Sequence, residues 1–297
     1  MDLSTRKIAI VGGDEREQEI ARLAALTGAV VEGFGFPWPD GGIEGVDRAD
    51  SAMTALRAAD YALFPIPGIT AEGALFAPEH DQPIIPDREV LSQMNPGAHI
   101  ILGWADSKLE AAAAATGIRL IGYEDDRELM LLRGPSIVEG ALELAIHHSD
   151  VSLHGAAIGV IGHGNIGRLL ARTLVLLGAR VTVFARNPVQ RADAMSAGAE
   201  AAPLDELIDR APQLAMVFST VPAPLVAGEV LRALPSPCVL IDLAAPPGGI
   251  DGRGATEHGH RFVWARGMGR RAPVTVGRSQ WVGISRRIAE VEAAREA

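Results

Sequence analysis

A single cysteine, Cys238, among 297 residues excludes an internal disulfide framework, and a reducing cytoplasm is the expected compartment. Cys238 falls in an apolar, strand-like run, where a small buried thiol is the default. No uninterrupted apolar segment is long enough to cross a bilayer, so no membrane is expected as a partner. Met1 to Lys7 lack the apolar core of a signal peptide. Basic side chains are outnumbered, 27 Lys and Arg against 37 Asp and Glu, and the formal net charge is -10. The only basic tract runs from Arg266 to Arg271, so nucleic acid is not expected as a partner. No metal motif is present either: His147 and His148 are adjacent, leave a helix in different directions, and do not chelate one ion from one face. What remains is an ordinary globular composition, 48% hydrophobic and 22% charged, in a chain long enough for two domains.

The most informative stretch runs from Ala156 to Arg191. An apolar run (Ala156 to Ile161) precedes Gly162-His163-Gly164-Asn165-Ile166-Gly167, then a segment with Leu169, Leu170, Thr173, Leu174 and Leu177 at helical spacing, then Val181 to Phe184. Strand, glycine turn, helix and strand in that order predict a dinucleotide site. Gly162 makes the tight turn, Gly164 lets a pyrophosphate approach the backbone, and Gly167 lets helix and strand pack closely. The free amides at the helix start, from Asn165, Ile166 and Gly167, face the phosphates. The second strand of an NAD site usually ends in a carboxylate for the ribose hydroxyl; here the chain reads Ala185-Arg186-Asn187-Pro188-Val189-Gln190-Arg191. Arg186, Arg191 and the Asn187 amide suit a 2′-phosphate, which favours NADP and leaves NAD as the alternative.

The first half of the chain alternates strands and helices. Lys7 to Val11 is a strand ending at Gly12-Gly13-Asp14, with a helix from Glu15 to Leu26 that Asp14 caps reciprocally with Glu17. Further strands are expected at Ala29 to Phe34, Tyr61 to Phe64, Ala98 to Leu102 and Arg119 to Ile121, with helices near Ser51 to Ala58, Arg88 to Met94 and Lys108 to Ala115. That order predicts an α/β fold, a parallel sheet wound on both faces, with ligands at the carboxyl ends of the strands: Gly13, Asp14, Pro65 to Thr70 and Gly103. The turn at Gly13 suits a substrate-facing loop or a second nucleotide. Arg16 opposes the helix dipole, so it either faces an anionic ligand or is an exposed partner of Glu17 or Glu19.

Pro135 to Ser149 reads as a helix linking two domains, and Gly140 inside it suggests close packing or a nearby ligand. In the second half, Leu214 to Phe218 is a strand leading to Thr220, Val221 and Pro222, where Rossmann enzymes pass the chain beside the nicotinamide ribose. Val239 to Leu243 is another strand, and Asp242 within it reads as a structural rather than a catalytic carboxylate. Arg261 to Trp264 is the last strand. Arg270 and Arg271 beyond it either hold substrate carboxylates or form a solvated basic turn. The expected architecture is two doubly wound parallel-sheet (Rossmann-like) domains: an N-terminal substrate domain at 1–134, a linking helix at 135–150, a dinucleotide-binding domain at 151–278, and a C-terminal helix at 279–297 packing back at the domain junction.

In this order the residues resemble the dipicolinate synthase A-subunit family. The likeness spans nearly the whole chain: Ile10 to Asp14 with Arg16, Val138-Glu139-Gly140, Ala145 to Asp150, His154-Gly155, the glycine fingerprint, Thr220-Val221-Pro222, Ile241 to Ala244 through Gly249, and Ala272 to Gly277. The resemblance implies an oxidoreductase that, with a second, flavoprotein-like subunit, converts a dihydrodipicolinate-type precursor to the pyridine dicarboxylate of bacterial spores. It implies that Arg16 and either Arg270 or Arg271 hold the carboxylates of a small dicarboxylate substrate, that Thr220 and Pro222 position the nicotinamide, and that further copies of the chain assemble with it; it assigns no base. Three places depart from the family pattern: Glu17 stands where Gln is usual, Arg133-Gly134-Pro135-Ser136-Ile137 replaces an Asn and Pro-Thr pattern, and Gly267-Met268-Gly269-Arg270 replaces Gly-Leu-Pro-Gly. Two other readings remain open: a two-domain dehydrogenase acting on another hydroxy or imino acid, and a non-catalytic nucleotide-binding subunit.

Overall fold

A computed structural model describes residues 1–123 and 125–296; Ala297, the last residue of the expected terminal helix, lies outside the described residues. The strands are β1 (Lys7–Val11), β2 (Val30–Phe34), β3 (Val46–Arg48), β4 (Tyr61–Leu63), β5 (His99–Leu102) and β6 (Arg119–Gly122), then β7 (Ala157–Ile161), β8 (Arg180–Phe184), β9 (Glu200–Ala202), β10 (Met216–Ser219), β11 (Val239–Asp242) and β12 (Arg261–Trp264). The helices are α1 (Arg16–Ala25), α2 (Ala52–Leu56), α3 (Arg88–Leu91), α4 (Ser107–Thr116), α5 (Arg127–His148) and α6 (Asn165–Leu176). They continue as α7 (Pro188–Ser196), α8 (Leu207–Arg210), α9 (Gly228–Ala233), α10 (Gly252–Glu257) and α11 (Pro273–Glu296). None of them is long and apolar enough to cross a membrane.

The chain divides into two units, Met1–Arg133 with Ala272–Ala297, and Gly134–Arg271. Each holds one six-stranded sheet, ordered β3-β2-β1-β4-β5-β6 in the first and β9-β8-β7-β10-β11-β12 in the second, with every pair parallel. Both are doubly wound Rossmann-like sheets, the fold class expected. Strand order reverses beside β1 and beside β7, and the crevice outside the strand ends at such a reversal is where open α/β sheets take ligands.

The sheets are buried on both faces, which is why their central strands read as continuous apolar runs. In the first unit Ala9 and Val11 enter one core cluster, while Ile8 and Ile10 enter the other with Ile20 of α1 and Ile284 and Ile288 of α11. In the second, Val181 and Val183 pack on the face covered by Val138, Leu170 and Leu174, and Phe184 packs on the other. Helix ends follow local chemistry: Asp106 caps α4 by accepting from the Leu109 amide at 2.8 Å, and Gly117 closes it at φ 71°.

Several boundaries differ from those the sequence suggests. Helix α5 begins at Arg127 and carries Pro135 in its interior, where the sequence places a helix start. Helix α11 begins at Pro273, with proline at the first position where its missing N–H costs nothing, six residues before the expected Ser279. It belongs to the N-terminal unit: Arg278 Nε lies 2.7 Å from Glu19 Oε1 on α1, and a Cβ at Gly277 would stand 2.7 Å from the Arg16 carbonyl oxygen. Edge strands β3 and β9 fall where the sequence shows no strand, because each is three residues long and partly polar.

Candidate functional site

The turn after β7 keeps the three glycines in three different roles. Gly162 takes φ +91°, and a Cβ there would lie 2.5 Å from Val221 Cγ2 and 2.7 Å from Thr220 Oγ1. Gly167 abuts the turn itself, since its Cβ would stand 2.3 Å from the Gly162 carbonyl oxygen. Gly164 is different. It is the N-cap of α6 with no side-chain cap, and a Cβ there would meet nothing within 4 Å. Space therefore opens in front of the uncapped amides of Asn165, Ile166 and Gly167, the positive end of a 12-residue helix. This is the cradle that a diphosphate needs.

The strand beside it shapes the same turn. Thr220 donates its hydroxyl to the Ile161 carbonyl at 3.0 Å, and its own amide bonds that oxygen at 3.0 Å, so Thr220 and Val221 form the wall behind Gly162; Pro222 is exposed beyond them. Asp242 is fully enclosed: Oδ1 accepts from the Ala244 amide at 3.0 Å and Oδ2 from Gly249 at 2.7 Å and Ile250 at 3.0 Å. Both oxygens hold the loop after β11, the structural role expected of a carboxylate in an apolar strand.

At the end of β8 the three residues expected to receive a 2′-phosphate divide. Asn187 caps α7, its Oδ1 accepting from the Val189 amide at 2.8 Å. Arg191 turns back, its Nη1 donating to the carbonyls of Ala185 at 2.8 Å and Arg186 at 2.7 Å. Arg186 is exposed and has no ion-pair partner among the described residues. A group that sequence reasoning passed over lies alongside: His163 Nε2 is 2.9 Å from Asp193 Oδ2, which also receives Arg168 Nε at 3.0 Å, while His163 Nδ1 is enclosed without a partner. His163 stands inside the fingerprint, but nothing in the spacing links it to Asp193, 30 residues on.

The N-terminal unit has a glycine turn in the same place with the opposite property. Gly12 and Gly13 both take positive φ, 78° and 110°, yet a Cβ at Gly13 would lie 2.2 Å from Glu17 Cδ. The Glu17 carboxylate fills the turn and accepts the Asp14 amide at 2.8 Å. Half of the expected reciprocal cap thus forms. The other half takes a different form: Glu15, the residue before the helix, makes no side-chain bond, while Asp14 Oδ1 accepts the Arg16 amide at 3.2 Å in place of the Glu17 amide. Asp14 Oδ1 takes Arg16 Nε at 2.7 Å and Oδ2 takes Nη2 at 2.8 Å, a bidentate pair with Asp14 fully buried and Arg16 7% exposed. Arg16 is therefore neither exposed nor paired through Glu17 or Glu19. Burial pushes the Glu17 carboxyl up to about 7, against the pull of the Arg16 guanidinium. At the ends of β5 and β6 in the same unit, Gly103, Trp104, Tyr123, Asp126 and Arg287 line a cavity of about 400 Å³.

Of the basic loop after β12, Arg271 donates to Glu139 Oε2 and lies 3.9 Å from Glu143 Oε2, both on α5. Arg271 and both carboxylates are exposed, so its charge is met by a surface ion pair within the same unit. Arg270 lies half-buried in the same single helical turn, Met268–Arg271. Gly140 answers to close packing, since a Cβ would stand 3.0 Å from Met268 Sδ. Burial pushes the Cys238 thiol up to about 12, so it is an inert core group.

Comparisons with known proteins bear on both units. Residues 7–123 match the family described as the N-terminal domain of the dipicolinate synthase A subunit. The dipicolinate synthase A subunit of Bacillus subtilis (strain 168) is 28% identical over 292 residues, 98% of each chain. The crystal structure of the dipicolinate synthase A subunit from Bacillus halodurans superposes with a TM-score of 0.89 at 28% identity, covering 97% of this chain and 99% of that one. Over nearly its whole length the chain is similar to dipicolinate synthase A subunits. Residues 136–244 match the NAD binding domain of D-isomer specific 2-hydroxyacid dehydrogenases. The chain thus joins an N-terminal domain similar to that of dipicolinate synthase A subunits to a dehydrogenase-type nucleotide domain, and it is an oxidoreductase of the nicotinamide class. A transhydrogenase from Sinorhizobium meliloti, at 18% identity and a TM-score of 0.71, shares the fold.

Proposed function

We propose that the chain oxidises a cyclic dihydrodipicolinate-type precursor to the aromatic pyridine dicarboxylate with NADP, working as a homo-oligomer in the cytoplasm together with a second, flavoprotein-like subunit. The observation that carries the reading is the contrast between the two glycine turns: the one at Gly164 is open, and the one at Gly13 is filled by Glu17. One dinucleotide is therefore assigned to the C-terminal unit, and the N-terminal unit is left for the substrate.

The amides of Asn165, Ile166 and Gly167 would hold the diphosphate, and Thr220, Val221 and Pro222 would bound the nicotinamide end. Arg186 is the cation left for a 2′-phosphate, because Asn187 and Arg191 serve the backbone. When bound, the nicotinamide supplies a two-electron hydride acceptor. For the substrate, the turn at Gly13, Asp14 and Arg16 is the assigned anchor. With Glu17 protonated, the set of Asp14, Arg16 and Glu17 carries no net charge, so an incoming carboxylate meets the remaining guanidinium nitrogen of Arg16 without repulsion. Orienting the ring is the main task left to the protein, since aromatisation supplies driving force once hydride and proton depart. In the C-terminal unit, Arg271 takes a carboxylate only by exchanging its two glutamates, and Arg270 shares its turn.

A second reading, a dehydrogenase of another hydroxy or imino acid, draws its support from Glu17, which stands where the family tends to carry Gln. The test mixes purified chain, NADP and dihydrodipicolinate, with and without the flavoprotein-like subunit. Equal growth of NADPH and pyridine dicarboxylate absorbance is expected. Cofactor binding without turnover in any mixture would remove the proposal, and turnover of another hydroxy or imino acid instead would favour the second reading.

A further inference from the structure

The amino-terminal edge of the N-terminal sheet, opposite the strand ends that carry Gly13 and Gly103, holds a cavity of about 400 Å³. Its lining includes His99, the first residue of β5, Arg119, the first residue of β6, and Arg287, Glu290 and Arg295 of α11. Three guanidinium groups against one carboxylate is a local positive excess in a chain whose net charge is -10. It persists after the neighbouring carboxylates are accounted for. Arg287 Nη1 bonds Asp126 Oδ2 at 2.9 Å, and Arg295 Nη1 bonds Glu292 Oε1 at 2.7 Å. Glu292 is also bonded by Arg6 Nη2 at 2.7 Å and by the Tyr61 hydroxyl, so one carboxylate serves two arginines and a phenol. Arg119 has no ion-pair partner among the described residues.

His99 supplies the second observation. It is 5% exposed, its ring stacks on Tyr61 at 6.0 Å, and its enclosed Nδ1 has no hydrogen-bond partner. A buried ring nitrogen without a partner costs free energy that a bound group with a complementary atom recovers. Burial, with Arg295 and Arg119 added to it, holds the imidazole below its usual range. An oxyanion reverses that balance: it gives Arg119 a counterion, and its negative charge beside the ring favours the imidazolium.

We propose that this cavity binds a compact, doubly charged oxyanion, a phosphate or a small dicarboxylate, between Arg119 and His99. Binding takes up a proton on His99, faced by Tyr61 of β4, Arg119 of β6, and Arg295 and Glu292 of α11, and tightens as pH falls toward the imidazole's own range.

The test follows the histidine ring resonances of the full-length chain at pH 7, assigning His99 with H99Q. Inorganic phosphate and malonate are titrated separately, with chloride balancing ionic strength. A saturable shift of His99 toward the imidazolium position is expected, and Arg119→Glu, a change at an exposed side chain, is expected to weaken it by at least about tenfold with an unchanged circular dichroism spectrum. A response to phosphate alone, malonate alone, or both supports the site and identifies the anion it prefers. A His99 signal that follows ionic strength only, or an Arg119→Glu chain that titrates like the parent, overturns it. Should H99Q fail to fold, the Arg119→Glu comparison decides alone.

Discussion

At pH 8.5 the Glu17→Gln variant is expected to be more stable than the parent chain by about 3 kcal/mol, and at pH 4.5 the two are expected to agree within about 1 kcal/mol. The difference comes from where the carboxyl lies. Unfolded, Glu17 titrates near its ordinary 4.5; folded, burial pushes it up to about 7 despite Arg16. The interval multiplied by about 1.4 kcal/mol per unit gives the figure. Between those pH values the native chain keeps a proton that the unfolded chain has released. The stability this provides is complete below about 4.5, falls as pH rises, and is gone above about 7. Gln cannot ionise, yet its carbonyl oxygen still accepts the Asp14 amide, a bond of 2.8 Å in the parent. Urea unfolding followed by tryptophan emission is the assay, because Trp38, Trp104 and Trp281, three of the four tryptophans, lie in the N-terminal unit. An equal difference at both pH values, or a less stable Gln variant at pH 8.5, would refute the reasoning.

Arg186→Ala is expected to lower NADP affinity by about tenfold and leave NAD affinity unchanged, measured by titration calorimetry with each; equal losses for both would return the 2′-phosphate to Arg191 or Asn187. Asp242→Ala removes the acceptor of three buried amides and is expected to cost about 3 kcal/mol in urea unfolding; a loss under about 1 kcal/mol would mean that the loop after β11 holds itself.

The central strands were legible because they are buried on both faces: Ile8 to Val11, Ile158 to Ile161 and Val239 to Ile241 carry no alternation to misread. Strands β3 and β9 were not, since Val46-Asp47-Arg48 and Glu200-Ala201-Ala202 lie at sheet edges and bury little. Gly162 and Gly167 could be read from spacing, because each meets a local steric demand, whereas Gly164 meets none and faces open space. Competition between partners could not be read that way. Asp14 has the position of a cap and does accept the Arg16 amide, but the Arg16 fork also takes both its oxygens; Asn187 and Arg191 suit a phosphate, but backbone groups within a few residues claim them. Arg271 finds Glu139 and Glu143 more than 120 residues away in sequence, a pairing that only the fold creates.

The central claim is that a dinucleotide lays its diphosphate against the backbone at Gly164. Titration calorimetry of NADP into the parent chain and Gly164→Val tests it directly, because the added side chain enters open space and leaves the fold intact. The account predicts that the variant melts within a few degrees of the parent and loses at least about a hundredfold in NADP affinity. A Gly164→Val chain that binds NADP as tightly as the parent would contradict it.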